Sequence, residues 1–137
     1  SSTSRGLGDV YKRQVQEAGL SLFAGLASGD MLFIDSSHLL MPGSDVDFLF
    51  NEIWLRLPAG VLVHVHDIFL PDAYPDSWSW RGYNEQNALA PLLSHTRLLW
   101  SSRWVTARMT SAVASAGLDA LPLLPGARET SLWLEIA

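Results

Sequence analysis

The sequence predicts an α/β fold, with helices packed on the faces of a sheet. Four helical segments and four strands alternate along the chain, which is the order typical of α/β domains. Apolar residues make up 48% of the 137 residues, so the composition is that of a folded chain rather than a disordered one. This length fits one domain with a hydrophobic core.

The predicted helices are recognised by apolar residues at helical spacing and by turn residues at their ends. Leu20, Phe23 and Leu26 indicate a first helix that stops at Gly29. Ser44 or Asp45 is a possible cap for the second. The four predicted helices span residues 15–29, 45–57, 84–94 and 103–116.

The predicted strands are short apolar runs bounded by turn residues. They cover residues 31–34, 61–66, 96–101 and 130–136. A loop rich in proline and aromatic residues, 70–83, follows the second strand. Loops of this length in compact domains are often functional.

The first fourteen residues, "SSTSRGLGDVYKRQ", differ in character from the rest of the chain. They are polar, lack periodicity and contain the only lysine, Lys12. They resemble a translated sequencing adapter of the kind found in metagenomic open reading frames, and the alternative is a disordered natural terminus. We therefore expect residues 15–137 to form the domain and to be the C-terminal part of a longer protein.

The composition excludes several classes of partner and site. The chain has no cysteine, so disulfides and thiolate metal sites are excluded, and a cytoplasmic location is compatible with this. Residues 15–137 contain six arginines, no lysine and thirteen acidic residues, which argues against a nucleic-acid surface. No apolar run is long enough to cross a bilayer, so we expect no membrane partner.

Polar residues follow the first two predicted strands where each strand ends. Asp35 ends one strand, and His66 and Asp67 end the next. Ligand sites of open α/β sheets lie beyond these carboxyl ends. The three side chains could hold a divalent metal, and His38 could join them. The alternative is that the aspartates cap the turns that follow.

Two histidines of the second strand suggest a second chemistry. His64 and His66 are two residues apart and so share one face of the strand. Such a pair, with Asp67, could begin the metal site of a small hydrolase, although only His95 remains downstream. The favoured interpretation of His64 is a buried histidine with one satisfied hydrogen bond.

The loop at 70–83 and the helix after it supply further candidates. Tyr74, Trp78, Trp80 and Tyr83 could form the wall of a substrate pocket or could hold the loop against the domain. Asn84, Glu85 and Gln86 open the third helix near the same site, where one of them could reach the substrate or a metal. The alternative for Asn84 is an N-cap. Trp54 and Trp100 are predicted to lie in the core.

A series of linked motifs in the chain resembles the C-terminal half of class I S-adenosylmethionine-dependent methyltransferases. The likeness covers roughly residues 15–137 and is strongest to a bacterial branch of that family. It is carried by "FIDSSH", then "PG", "HDIFLP", "YP", a tryptophan and "NEQ", with "SLWLEI" at the last strand. The specificity lies in the combination of the motifs.

The resemblance implies a partial Rossmann-like, doubly wound sheet. The four predicted strands correspond to the fourth to seventh strands of the family's fold, which has one antiparallel strand near its end. The glycine-rich turn and the acidic residue that bind the cofactor belong to earlier strands. We therefore expect the chain to be inactive alone.

The resemblance also implies roles for individual residues in an enzyme that transfers a methyl group to a small molecule, with a hydroxyl as the expected acceptor. Asp35 and Ser36 are expected to contact S-adenosylmethionine, and Tyr74, Trp78, Asn84 and Glu85 to contact the acceptor. Related enzymes hold a divalent metal such as Mg²⁺ at positions that correspond to Asp35, His66 and Asp67. Without a metal, His66 or His38 could be the general base, with Asp67 beside it.

Two further expectations complete the sequence analysis. The chain could instead be a non-catalytic α/β binding module whose strand-end residues are caps. A truncated sheet would expose an apolar strand edge, so we also expect aggregation or a homodimer.

Overall fold

The computed structural model describes residues 14–137, so nearly all of the adapter-like segment lies outside the described residues. The strands are β1 (Met31–Ile34), β2 (Leu62–Val65), β3 (Thr96–Ser101) and β4 (Leu132–Ile136). The α-helices are α1 (Val15–Ala18), α2 (Leu20–Phe23), α3 (Asp45–Phe48), α4 (Glu85–Leu92), α5 (Ser102–Arg108) and α6 (Thr110–Ser115).

The four strands form one open, mixed sheet in the order β1-β2-β4-β3. β1 and β2 are parallel, and β4 is antiparallel to both of its neighbours. Helices flank the sheet, so the predicted α/β fold is confirmed. The arrangement is consistent with part of a Rossmann-like sheet.

The hydrophobic core lies between one face of the sheet and the segments that contain α3 and α4. Ile34, Val65 and Leu132 are neighbours across three strands and are almost fully buried. Val46 of α3 and Leu89 of α4 pack into the same cluster from the helical side, and neither has any exposed surface. Burying an aliphatic side chain of this size contributes roughly 1.5–3 kcal/mol, so this layer fixes the ends of β1 and β2 in space.

Two predicted helices are interrupted in the structure. The helix predicted at 15–29 is replaced by α1 and α2, because Gly19 between them has φ 72°. The helix predicted at 103–116 is divided at Met109, whose φ of −119° is not helical. The helix predicted at 45–57 is confirmed, but its winding changes from α to π over Leu49–Ile53 and to 3₁₀ over Trp54–Arg56.

The two tryptophans that were predicted to lie in the core differ. Trp54 is 5% exposed, as predicted. The prediction for Trp100 is wrong, since 41% of its surface is exposed. β3 is an edge strand, so its side chains have a neighbouring strand on one side only.

Gly60, just before β2, hydrogen-bonds to the end of β4 and to the turn that precedes β1. Its N–H donates to the carbonyl of Ile136 at 2.8 Å, and its carbonyl accepts from the N–H of Gly29 at 2.9 Å. Its φ is 84°, and a Cβ at this position would lie 2.2 Å from the Oγ of Ser28. Both the conformation and the space therefore favour glycine.

β1 is an edge strand. Its face that points away from the hydrophobic core carries exposed apolar side chains. Met31 is 54% exposed and Phe33 is 59% exposed. Within residues 14–137, no helix is long and apolar enough to cross a membrane.

We expect the chain to self-associate through β1, because an unpaired strand with exposed apolar side chains is a template for pairing. Phe33→Lys should shift the population towards monomer in sedimentation velocity. Leu55→Lys is the matched control, since Leu55 is 69% exposed and lies outside the sheet. A wild-type chain that stays monomeric over a wide concentration range would contradict this prediction.

Candidate functional site

The loops that follow β1 and β2 meet the first turn of α4 at the carboxyl edge of the two parallel strands. His38, from the first loop, lies at the centre and is 5% exposed. Asp67 follows β2, and Glu85 is the first residue of α4. We call the five residues Asp35, Ser36, His38, Asp67 and Glu85 the His38 cluster.

One side of His38 is held by Glu85. The Nδ1 atom of His38 lies 2.6 Å from Oε2 of Glu85, which has no exposed surface. The hydroxyl of Ser36 donates to Oε1 of the same carboxylate at 2.8 Å and accepts from the backbone N–H of His38 at 2.9 Å. Both oxygens of the buried carboxylate are therefore engaged, and the imidazole is fixed in orientation.

The other ring nitrogen of His38 faces two carboxylates. Its Nε2 atom lies 3.4 Å from Oδ1 of Asp35 and 3.7 Å from Oδ2 of Asp67. Burial opposes the charged imidazolium, but the hydrogen bond to Glu85 and the three carboxylates outweigh it, so the pKa of His38 is raised above its ordinary value. Among the described residues, the buried side-chain atoms without a hydrogen-bond partner are His64 Nδ1 and Arg81 Nε.

Asp67 is surrounded by donors and cations. Its Oδ1 accepts from the hydroxyl of Thr130 at 3.0 Å and lies 3.4 Å from Nε2 of His66. Its Oδ2 lies 3.8 Å from Nη1 of Arg81. Asp67 and His38 both have positive φ, at 57° and 61°. Such backbone conformations in residues other than glycine are uncommon and often mark functional sites.

The aromatic loop is pinned to the domain and also borders the site. Phe69 packs against Tyr74 and Trp78, with ring centroids 5.8 and 5.1 Å apart. Burial raises the pKa of the Tyr74 hydroxyl above its ordinary range. Tyr83 packs on the ring of His38 at 4.5 Å. These contacts support the interpretation that the loop is held against the domain, although Trp80 is 80% exposed. The role of these residues as the wall of a substrate pocket stays a prediction.

Arg81 ties this loop to the carboxylates. Its guanidinium lies 4.0 Å from the ring centroid of Trp78. Its Nη1 also donates to the Tyr83 hydroxyl at 3.4 Å. The loop therefore brings one positive charge to the edge of the His38 cluster.

Three consecutive residues at the start of α4 fasten the two strand-end loops. Asn84 Oδ1 accepts from the N–H of Leu40 at 2.6 Å, and its Nδ2 donates to the carbonyl of the same residue at 3.3 Å. Gln86 Oε1 accepts from the N–H of Phe69 at 2.9 Å. Its Nε2 donates to the carbonyl of Asp72 at 3.1 Å. Glu85 holds the first loop through His38, as described above.

Asn84 occupies the N-cap position of α4, but its side chain makes no capping hydrogen bond to the helix. Asn84 and Glu85 were expected from sequence to contact the substrate. The structure shows both bonded to the first strand-end loop, and the substrate contact stays a prediction.

Gln86 offers a test of this fastening. Gln86→Ala should lower the free energy of unfolding by about 1–3 kcal/mol, because it leaves the buried Phe69 N–H without its acceptor. Asn87→Ala is the matched control, since Asn87 is the exposed neighbour on the same helix, and its effect should stay within about 0.5 kcal/mol. Urea unfolding measures both. Equal effects of the two substitutions would show that the hydrogen bonds of Gln86 are dispensable.

His64 lies apart from the His38 cluster on the sheet. It is 4% exposed, as predicted, and its ring packs between Phe33 at 4.5 Å and Trp133 at 4.6 Å. The expected hydrogen bond is not found, since Nδ1 is a buried atom without a partner among residues 14–137. Burial, together with His66, lowers the pKa of His64. A histidine enclosed between two aromatic rings does not favour the hydrolase interpretation.

The predicted metal set is only partly assembled. Within the described part of the chain, no group of three or more His, Asp or Glu side chains has the arrangement to hold a metal ion. Asp67 already faces Thr130 and Arg81 with its two oxygens, and 55% of the Asp35 side chain is exposed. These contacts do not fit a metal held by Asp35, His66 and Asp67.

The structure brings most of the predicted site residues into one place. Asp35, Ser36, His38 and Asp67 converge at the edge of the sheet, and His66 lies on the rim with 41% of its side chain exposed. Sequence reasoning missed Arg81 and Thr130. Arg81 lies among the aromatic residues of the candidate functional loop 70–83, and this position could have indicated a role at the site. Nothing in the sequence indicates such a role for Thr130.

Comparison of the chain with models of protein families, with curated proteins and with solved structures finds no match.

Proposed function

We propose that the chain is the acceptor-binding part of a cytoplasmic S-adenosylmethionine-dependent methyltransferase that acts on a hydroxyl group of a small molecule. The observation that carries the proposal is the His38–Glu85 pair at the carboxyl edge of the parallel strands. A buried carboxylate 2.6 Å from Nδ1 leaves Nε2 of the same ring to take a proton.

In the proposed mechanism, His38 acts as the general base. Nε2 of His38 would accept the proton of the acceptor hydroxyl, which makes that oxygen a better nucleophile for methyl transfer. Glu85 stabilises the imidazolium that results and keeps Nδ1 in its protonated form. The cofactor supplies an electrophilic methyl group on a sulfonium, and Asp35 and Ser36 are the residues of this chain proposed to lie against it.

The order of the strands supports the same proposal. The family that the motifs resemble ends in four strands of which one is antiparallel, and β4 is the antiparallel strand of this sheet. The cofactor's glycine-rich turn would come from an earlier strand of the sheet. The exposed edge of β1 is where such a strand would pair.

Isothermal titration calorimetry with S-adenosylmethionine tests the proposal. It should be performed on residues 14–137 and on a longer protein that contains the proposed earlier strands. We expect binding by the longer protein only, since the main cofactor contacts belong to earlier strands. If the longer protein does not bind the cofactor, the methyltransferase proposal is wrong and the His38 cluster serves another purpose.

A further inference from the structure

An open groove lies on the side of the sheet where α5 and α6 follow β3. Its volume is about 560 Å³, within the range of small-molecule sites. Trp100 and Trp133 line it from β3 and β4, and the 118–123 turn lines it from the other side. None of the residues of the His38 cluster lines it.

The walls of this groove are apolar and face the solvent. Leu118 is 44% exposed, Leu121 is 59% exposed and Leu123 is 56% exposed, and all three line the groove. Trp100, at 41%, continues the same surface. Contiguous apolar surface of this kind marks a site that is covered when a ligand or partner is bound.

The charged residues that line the groove indicate the charge of the ligand that would fit it. Its two charged lining residues, Asp119 and Glu129, are both acidic. Neither forms an ion pair with another described residue, whereas Asp72 and Glu135 elsewhere on the surface are paired with arginines. An apolar groove with two carboxylates that have no ion-pair partner among residues 14–137 is complementary to an apolar molecule that carries a positive charge.

We propose that the groove binds a small molecule with an aromatic or alkyl body and a protonated amine. The hydrocarbon body packs against the leucines and tryptophans, and the ammonium group is attracted by Asp119 and Glu129. A cation near Trp100 or Trp133 also gains from the faces of the indole rings. This inference goes beyond the proposed methyl transfer and does not depend on it.

The test compares two probes that share the same hydrocarbon body and differ in the charged end group. 4-Phenylbutylamine is protonated at pH 7, and 4-phenylbutan-1-ol is its uncharged counterpart. Binding is followed by tryptophan fluorescence, since two tryptophans line the groove, and by calorimetry. We expect the amine to bind more tightly than the alcohol, and the difference to shrink as salt is raised.

Asp119→Asn and Glu129→Gln should each weaken binding of the amine by roughly two- to five-fold, the range for an exposed charge pair, and should leave the alcohol unchanged. Glu52→Gln is the control, because Glu52 is an exposed carboxylate, paired with Arg56, that does not line the groove. Both groove carboxylates are exposed, so these variants are expected to fold.

Three results would overturn the proposal. Equal affinity for the amine and the alcohol would remove the role of the carboxylates. Binding that survives Leu121→Asp would place the probe elsewhere. Probe binding that is lost as the protein self-associates would assign the groove to a second copy of the chain. None of these outcomes depends on whether the longer protein binds S-adenosylmethionine.

Discussion

Replacing His38 by asparagine in the longer protein should lower the rate of methyl transfer by a factor of roughly 10² to 10⁴, the usual contribution of a general base. Asparagine tolerates the positive φ that His38 adopts, so the loop should keep its path. The measurement is transfer of a labelled methyl group from S-adenosylmethionine to a panel of hydroxyl-bearing small molecules, with calorimetry to show that cofactor binding is retained.

Two further substitutions make this result specific. His95→Asn is the control, since His95 is exposed and outside the cluster, and it should leave the rate unchanged. His66→Asn separates the two bases that the sequence suggested. A large loss of the methyl-transfer rate in His66→Asn, with little loss in His38→Asn, would identify His66 as the general base and contradict the mechanism.

The pH dependence of the rate follows from the raised pKa of His38. Only the neutral imidazole can accept a proton, so the rate should rise with pH through that pKa and level off above it. Glu85→Gln removes the hydrogen-bonded carboxylate that raises the pKa, so the rise should move to lower pH. A profile that does not move would show that Glu85 has no influence on the base.

Replacing Glu85 by alanine should lower the free energy of unfolding by at least about 1–3 kcal/mol, because it leaves the buried Nδ1 of His38 without its hydrogen-bond partner. The hydroxyl of Ser36 loses its acceptor in the same substitution. Urea unfolding measures the loss. Glu52→Ala, at an exposed carboxylate, is the control and should cost less than about 1 kcal/mol.

The stability difference between wild type and Glu85→Gln should depend on pH in a definite direction. The folded-state pKa of His38 is raised above 6.5, so the protonated form stabilises the fold. This contribution is fully present below pH 6.5 and is lost as the pH rises through the folded-state pKa. A difference that instead grows with pH would show that His38 is neutral when buried.

Much of the fold could be predicted because the apolar runs are unambiguous. The four strands differ from their predicted ranges by at most two residues at an end. The helix divided at Gly19 was missed because Leu20, Phe23 and Leu26 keep a helical spacing whatever the backbone does. Trp100 was misplaced because sequence alone does not show which strand lies at the edge of a sheet.

The candidate site was predictable where the rule on strand ends applies. That rule gave Asp35, His66 and Asp67, and His38 followed from its nearness to Asp35. The role of Glu85 was not predictable, since a glutamate in the first turn of a helix normally faces solvent and interacts with the helix dipole. Only the packing of α4 against the 36–40 loop turns it inward.

The fastening of both strand-end loops to one turn of α4 has a consequence for how the site opens. The amides of Leu40 and Phe69 lie on different loops, yet they donate to side chains two residues apart on the same helix. Fraying of that turn releases both amides at once. The backbone amide hydrogens of the two loops should therefore exchange with similar protection, because the loops open as one cooperative unit. The two sides of the site should become ordered or disordered together.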